Sequence, residues 1–161
     1  MTLAVHTSNQ PLDVNYYHGK CQFGDATLVM HGDYVVGLAL DKVQPEALLK
    51  VGACEFDQSL QHTLSDIFDN KPVKMLIKGT ELQVKVWQEL LKVQASITYK
   101  ELAQRIQKPL AWRAVANAVG ANPISVLIPC HRIVGSNGLL RGYRWGVDKK
   151  RALLQTEGIY L

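Results

Sequence analysis

The chain has 161 residues, three cysteines and a formal net charge of +4. Its hydrophobic fraction of 47% and its charged fraction of 20% are those of a globular protein and exclude a disordered or fibrous chain. No apolar run reaches the length that a bilayer requires, and the N-terminal residues lack the pattern of a secretory signal. Because the cysteines are few and have no paired spacing, we expect a cytoplasmic protein with reduced thiols.

Charge is distributed unevenly along the chain. Residues 1–80 contain 6 Lys/Arg and 9 Asp/Glu, a balance of −3, whereas residues 81–161 contain 12 and 5, a balance of +7. A basic half favours contact with a polyanion such as nucleic acid. A chance imbalance of surface charge explains the same numbers equally well, so charge alone decides nothing.

The first half of the chain, residues 1–78, predicts a small α/β domain. Two β-rich runs at 26–31 and 34–40 flank a Gly-Asp dipeptide and predict a hairpin. Asp57 is a candidate N-cap for a helix with apolar residues at helical spacing. Residues 73–77 predict one further strand.

The second half, residues 79–161, has a helical pattern. Capping boxes beginning at Thr80 and Thr98 predict two helices. A third helix is predicted over residues 110–121, ending before Pro123. A short helix, a tight turn and a second helix form the outline of a helix-turn-helix. Most helix pairs of this kind bind nothing, so the outline is weak support for DNA binding.

The third predicted helix has two different sides. At 100° per residue, Trp112, Val115 and Val119 share one side, which we expect to face the core. The opposite side carries Leu110, Ala114, Asn117 and Ala121. Arg113 lies at the boundary between the two sides. Small side chains allow close approach to a DNA groove, but an alanine-rich helix selected for its propensity has the same composition.

Reactive side chains are concentrated in the segment that ends in Pro129, Cys130, His131 and Arg132. A lone cysteine is usually a buried hydrophobe, but cationic neighbours are expected to lower the thiol pKa and favour the nucleophilic thiolate. Adjacent residues rarely face each other. If His131 is the base, a water must therefore connect it to the thiol, and a third group must orient the imidazole. Spacing does not identify that third group.

Residues 109–132, PLAWRAVANAVGANPISVLIPCHR, closely resemble the O6-alkylguanine-DNA alkyltransferases, whose hallmark is the Pro-Cys-His-Arg motif. The similarity continues in both directions, at residues 86–87, 98–103, 142–146 and 153–158. The resemblance implies an α+β protein of two small domains. Residues 1–78 would form an N-terminal α/β domain of RNase H-like type. Residues 79–161 would form a helical domain of helix-turn-helix, winged-helix-like type that binds DNA and accepts the alkyl group.

The resemblance also implies an activity. The alkyl group, mainly methyl, passes irreversibly from O6 of guanine in DNA to the protein's own Cys130, after the damaged nucleotide is flipped out of the duplex. Such a cysteine S-methyltransferase is consumed by its single turnover. The expected partner is double-stranded DNA containing O6-alkylguanine, and the expected state is a cytoplasmic monomer with no cofactor, no metal and no membrane contact.

Catalytic and DNA-binding roles follow from the same resemblance. His131 matches the residue that deprotonates Cys130 through a water, and Glu157 matches the carboxylate that holds this histidine. Arg113 matches the arginine that fills the gap left by the flipped nucleotide. On the same helix, Ala114 and Asn117 are expected to face DNA.

Further roles concern the pocket for the flipped guanine. Tyr99 matches the tyrosine that helps rotate the nucleotide and donates to guanine N3, and Asn122 matches the residue that braces the turn before the active-site loop. The carbonyls of Cys130 and Ile133 are expected to read the guanine amine. The remaining wall is assigned to Tyr143, Arg144 and Trp145. The backbone N–H of Arg144 would approach O6, and the bulk of Trp145 would favour methyl over benzyl adducts.

Three other functions compete with this one. A non-reactive DNA-damage binder on the same scaffold lacks the cysteine that this chain keeps. A helix-turn-helix regulator predicts sequence-specific binding without thiol chemistry, and a thiol hydrolase predicts repeated turnover. A zinc site built from His18, Cys21 and His31 is disfavoured because the spacing is not a standard zinc pattern.

Overall fold

A computed structural model describes residues 2–6, 9–138, 140 and 142–161. The chain divides into two compact units, the first ending at Thr80 and the second beginning at Glu81. This division lies two residues beyond the boundary expected from the sequence. Strands dominate the first unit and helices the second, so the protein is a mixed α/β protein. In the described part of the chain, no helix has the length and apolar character needed to cross a bilayer.

A six-stranded mixed sheet forms the first unit. Its strands are β1 (Thr2–His6), β2 (Leu12–Cys21), β3 (Gly24–His31), β4 (Tyr34–Ala39), β5 (Val51–Phe56) and β6 (Lys74–Lys78). They are ordered β1-β6-β4-β3-β2-β5 across the sheet. The strands β2, β3 and β4 are joined antiparallel, whereas β1 and β4 pair with β6, and β5 with β2, in parallel. One α-helix, α1 (Gln61–Phe68), accompanies the sheet.

Several predictions for this unit are confirmed. The β3–β4 hairpin turns at Gly32, whose φ of +56° lies in the left-handed region that glycine adopts without a Cβ clash. The predicted last strand is β6. Asp57 is a cap, but for a 3₁₀ turn ahead of α1, where its carboxylate accepts the Ser59 N–H at 3.0 Å.

The strands β1, β2 and β5 were not predicted. Most residues of β1 and β5 are exposed or half-buried, so neither strand shows the alternation of apolar and polar residues that marks a half-buried strand. In β2, only Val14 and Tyr17 are buried among ten residues. These strands are held by backbone pairing with neighbours distant in sequence, which local patterns do not show.

The second unit is mainly helical. Its elements are α2 (Glu81–Leu90), β7 (Ile97–Thr98), α3 (Tyr99–Arg105), α4 (Trp112–Gly120), β8 (Ile133–Val134) and α5 (Val147–Thr156). The capping box at Thr98 is confirmed: Thr98 Oγ1 accepts the Glu101 N–H at 3.1 Å, and Glu101 accepts the Thr98 N–H at 3.4 Å. Buried Trp87 of α2 donates its indole N–H to the Ala118 carbonyl of α4 at 2.8 Å, which fixes the two helices together.

Helix α4 differs from its prediction at its first residue. Val115 and Val119 are buried as expected, but Trp112 is 41% exposed and does not belong to the core. The α-helix begins only at Trp112, after a 3₁₀ turn over Pro109–Ala111, so this ring lies at the end of the buried stripe. The guanidinium of Arg113 lies over it instead, 5.4 Å from the ring centroid.

Candidate active site

A loop that is held together by side-chain hydrogen bonds leads into Cys130. Between α4 and Cys130 the chain turns tightly, and Asn122, which is 2% exposed, bridges both ends of the turn. Its side-chain amide donates to the Ile128 carbonyl at 2.8 Å, while its carbonyl oxygen accepts the Ile124 N–H at 3.0 Å. Val126 within the turn has a φ of +72°, which is strained for a β-branched residue. The amide clamp offsets that strain and fixes the backbone before Cys130.

Cys130 opens a 3₁₀ turn and lies in the wall of a cavity of about 360 Å³. The lining includes Tyr99, Asn122, Ser125, Cys130, Tyr143 and Arg144. The parallel β7–β8 pair, in which Thr98 lies opposite Val134, brings the start of α3 beside the segment that follows Cys130. This pairing explains how Tyr99, 31 positions away in the sequence, comes to share a wall with the thiol.

The residues after Cys130 form a hydrogen-bonded network with the end of α5. The His131 side chain is 1% exposed, and its Nε2 is hydrogen-bonded to Glu157 Oε1. Arg132 donates from Nε to Glu157 Oε2 at 2.7 Å and from Nη1 to the Val93 carbonyl. Burial acts to raise the pKa of Glu157, but the hydrogen bonds and charges of His131 and Arg132 outweigh it and hold that pKa below its usual range. Glu157 therefore supplies the orienting carboxylate.

The other nitrogen of the same imidazole differs from the first in its surroundings. Among the described residues, His131 Nδ1 is buried without a hydrogen-bond partner. A buried polar atom without a partner is costly, and functional sites are where such atoms are found. This nitrogen is therefore available to a water or a substrate group.

The environment of the thiol corrects the sequence-based expectation about its ionisation. Burial raises the pKa of Cys130; the Asn122 side chain and the charges of Lys150 and Arg144 oppose this without cancelling it. The expected cationic neighbour, Arg132, is turned towards Glu157 instead. The cations whose charges favour the thiolate come from distant parts of the chain, and burial still keeps the pKa of the thiol above its ordinary value.

Lys150 is a site residue that the sequence analysis missed. It is 1% exposed, and its ammonium donates to the Ile133 carbonyl at 2.5 Å and to the Gly142 carbonyl at 3.3 Å. Burial lowers the pKa of Lys150 to about 8, while the nearby Cys130 acts in the opposite direction. In the sequence it stands within Lys-Lys-Arg, typical of a solvated helix face. Lys150 precedes the buried Leu153 and Leu154 by three and four positions, so all three lie on the same face of α5. This spacing was the signal that could have identified Lys150 as buried.

The expected pocket residues take different positions. Tyr143 and Arg144 line the cavity, and burial raises the pKa of Tyr143. Ile133 is fully buried, and among the described residues neither its side chain nor Trp145 belongs to the lining. Trp145 reaches the wall indirectly, by donating its indole N–H to Ser125 Oγ at 2.7 Å.

The residues expected to meet DNA lie elsewhere on the unit. Arg113, Ala114 and Asn117 are exposed on α4 and do not line the cavity. The structure thus groups Cys130 with one set of expected residues: His131, Glu157, Tyr99, Asn122, Tyr143 and Arg144. The α4 set forms a separate outer surface.

Metal-ligating side chains are not clustered in the described part of the chain, where no group of three or more His, Cys, Asp or Glu is arranged to hold an ion. Of the three residues considered for zinc, His18 is hydrogen-bonded through Nδ1 to Thr27 Oγ1 at 3.0 Å, and His31 Nδ1 to the Asp13 carbonyl at 2.7 Å. Cys21 Sγ accepts the Phe23 N–H at 3.4 Å, and none of Cys21, Cys54 and Cys130 is in a disulfide.

Known proteins resemble the chain in both sequence and structure. Residues 81–159 match the family described as 6-O-methylguanine DNA methyltransferase, DNA binding domain. A methylated-DNA–protein-cysteine methyltransferase of Methanosarcina mazei is 41% identical over 109 residues, which cover 64% of this chain and 69% of that protein. A protein of the same name from Scheffersomyces stipitis is 47% identical over 96 residues, covering 56% of this chain but only half of that protein.

Structural similarity extends over more of the chain. The crystal structure of Mycobacterium tuberculosis OGT in complex with DNA matches with a TM-score of 0.76 and 32% sequence identity, covering 89% of this chain and 92% of that one. The match therefore includes both units, whereas the family description covers the second alone. With a thiol directly before an imidazole that is hydrogen-bonded to a carboxylate, the chain belongs to the methylated-DNA–protein-cysteine methyltransferase family.

Proposed function

We propose that the protein repairs DNA by moving an alkyl group, mainly methyl, from O6 of guanine to Cys130 in one irreversible turnover. The observation that carries this proposal is the position of Cys130 in the wall of a 360 Å³ cavity, directly before an imidazole held by Glu157. A thiol alone is unremarkable, but a buried thiol next to an oriented base and an open cavity is the arrangement of an activated nucleophile.

Activation begins from a protonated thiol. The water that must connect Cys130 to His131 if the histidine is the base binds at His131 Nδ1, which is buried without a hydrogen-bond partner among the described residues. This water passes the thiol proton to the imidazole, and Glu157 stabilises the resulting positive charge. Lys150 and Arg144 add positive charge that favours the thiolate. Burial raises the free energy needed to ionise the thiol, and these charged residues lower it.

The transfer step follows from this geometry. The sulfur attacks the alkyl carbon, a new S–C bond forms, and the bond between that carbon and guanine O6 breaks. The electron pair passes into the guanine ring, where a proton neutralises it. Tyr99 is the donor for guanine N3. The thioether product is stable, and no second nucleophile in the proposed site removes the alkyl group, so the protein acts once.

Recognition of guanine uses two backbone carbonyls that can each accept a further hydrogen bond. The Cys130 carbonyl accepts the Ile133 N–H, and the Ile133 carbonyl accepts Lys150 Nζ. A carbonyl oxygen has two lone pairs, so each can accept a second hydrogen bond from the guanine amine. Lys150 thereby fixes the orientation of one of the two carbonyls that read the base.

DNA binding is assigned to the second unit. It carries the balance of +7, and its helix α4 exposes Arg113, Ala114 and Asn117 on one surface. In this assignment α4 is the recognition helix of a winged-helix-like domain, and Arg113 enters the base stack where the damaged nucleotide leaves it. We assign the first unit to the RNase H-like type that the resemblance implies. The protein acts in the cytoplasm as a monomer on double-stranded DNA.

The proposal is tested by intact mass. The protein is mixed with a duplex oligonucleotide carrying one O6-methylguanine, and a matched duplex with unmodified guanine is the control. We expect a gain of one CH₂ per chain from the damaged duplex, mapped to Cys130 by peptide analysis. Tight binding to the lesion with an unchanged mass would make the protein a damage-recognition protein. Repeated removal of methyl groups by an unmodified chain would make it a hydrolase.

A further inference from the structure

We propose that Trp112 is a second DNA-contacting residue beside Arg113, and that it receives the nucleotide next to the flipped guanine on the damaged strand. The inference rests on the proposed function and extends it to a residue that the resemblance left unexplained. Trp112 is 41% exposed although it is large and apolar, and it stands directly before the arginine that enters the duplex.

A cavity of about 290 Å³ lies beside the exposed ring. Its lining consists of Thr98, Tyr99, Lys100, Trp112, Gly135 and Ser136. Tyr99 also lines the cavity that contains Cys130, so the two cavities share a lining residue. A nucleotide seated against Trp112 and a guanine seated beside the thiol can therefore both contact Tyr99.

Chemistry around the second cavity matches a nucleotide. Trp112 offers a flat apolar surface, and Leu110, which is 97% exposed, extends the apolar area before α4. The exposed ammonium of Lys100 and the guanidinium of Arg113 place positive charge at the same surface. A base or deoxyribose covers the ring, and the phosphate meets the cations. A peptide or a second copy of this chain has no comparable need for both features.

Arg113 and Trp112 act in sequence. Without DNA, the Arg113 guanidinium lies over the indole, 5.4 Å from its centroid, in a cation–π arrangement. When Arg113 moves into the base stack, it uncovers the ring. The neighbouring nucleotide then takes the place of the guanidinium, so the ring face has a partner in both states.

The test compares the unmodified protein with Trp112→Ala, Trp112→Phe and Tyr160→Ala. Tyr160 is a matched control because it is a 75% exposed aromatic residue of the same unit that does not line the cavity. Trp112→Ala should slow methyl transfer from duplex DNA about tenfold, the range of one lost base–aromatic stack. Trp112→Phe should keep most of the rate and Tyr160→Ala all of it, and all variants should react equally with the free base O6-methylguanine.

A second set of substrates decides whether a neighbouring nucleotide is the partner. Duplexes are made with an abasic analogue in place of the base on the 5′ or the 3′ side of O6-methylguanine. On one of these two sides, removal of the base should slow methyl transfer by the unmodified protein. The same removal should not slow transfer by Trp112→Ala any further, because the substitution and the abasic analogue remove the same contact.

Equal slowing of both proteins by each abasic analogue would overturn the inference. So would slower reaction of Trp112→Ala with the free base, because the variant would then have disturbed the thiol site. Absence of transfer by the unmodified protein contradicts the proposed function itself, whereas transfer without coupling contradicts only the role of Trp112.

Discussion

The two units bury different kinds of side chain. Among the described residues, the first buries one polar side chain, Thr27, while the second buries Asn122, Ser125, His131 and Lys150. Burying polar groups is costly unless they are hydrogen-bonded. Each of the four in the second unit makes a hydrogen bond, which offsets that cost and orients the group. Their concentration in one unit locates the chemistry more surely than any single motif.

Cysteines show the same contrast. Cys54 on β5 is half-buried; burial raises the pKa of its thiol, and the charge of Glu46 adds to that effect. Burial also raises the pKa of Cys130, but there Lys150 and Arg144 oppose it. Cys54 has an acidic neighbour and Cys130 has basic neighbours, so of these two thiols only Cys130 has nearby charges that favour the thiolate.

The largest expected effect therefore separates the cysteines. Cys130→Ala should abolish self-methylation from damaged duplex DNA while leaving affinity for DNA nearly unchanged, because the cavity keeps its shape. The double variant Cys21→Ala, Cys54→Ala should become methylated at the rate of the unmodified protein. Intact mass reports transfer, and fluorescence anisotropy reports affinity. Residual methylation of Cys130→Ala would move the acceptor to another residue.

Glu157→Gln is expected to slow transfer about a hundredfold at neutral pH, within the range of general acid–base catalysis. Without the carboxylate, the imidazole is no longer held to accept the thiol proton, so the pH–rate profile should move to higher pH. Asp148→Asn is the matched control, because Asp148 is a fully exposed carboxylate on α5 whose bond to Arg151 spans 3.6 Å. A profile that does not move with Glu157→Gln would remove the relay from the mechanism.

The same variant links the site to stability. The pKa of Glu157 is held below its ordinary value, so its contribution to folding is present above the pKa of the unfolded chain. That contribution is lost as the pH falls through the lower, folded value. Urea unfolding at a series of acidic pH values should therefore show a flatter decline for Glu157→Gln than for the unmodified protein.

Sequence identified the side chains that the structure brings together around Cys130 better than the framework that positions them. The residues from Cys130 to Arg132 are contiguous, so a local motif carries them, and the resemblance supplied Glu157. Lys150 was missed because its burial depends on what packs against α5. The exposure of Trp112 was missed because periodicity predicts which side of a helix a residue lies on, but not how far along the helix the core extends.

Asn122→Ala should destabilise the second unit by about 2 kcal/mol, because the Ile124 N–H would be left buried without a partner and the Ile128 carbonyl would keep only the Cys130 N–H. In the first unit, Asp57→Ala removes an exposed cap and should cost about 1 kcal/mol. The two units can be followed separately because all three tryptophans lie in the second unit, so their fluorescence reports the unfolding of that unit. Urea unfolding followed by tryptophan fluorescence should shift with Asn122→Ala but not with Asp57→Ala, whose effect far-ultraviolet circular dichroism detects. Equal shifts in fluorescence would show that the units unfold together.

The smallest expected effect concerns the choice of alkyl group. Trp145 was expected to narrow the pocket directly, but it reaches the cavity wall through its hydrogen bond to Ser125. Trp145→Gly should therefore remove both the bulky ring and its hydrogen bond to Ser125. We expect the rate with benzyl adducts, relative to methyl adducts, to rise about tenfold, which is a typical effect of a change in pocket volume. Ser125→Ala separates the two contributions, since it removes the hydrogen bond and keeps the ring. If Ser125→Ala raises the benzyl rate as much as Trp145→Gly does, the hydrogen bond controls selectivity. If neither variant raises it, the tryptophan does not restrict the pocket.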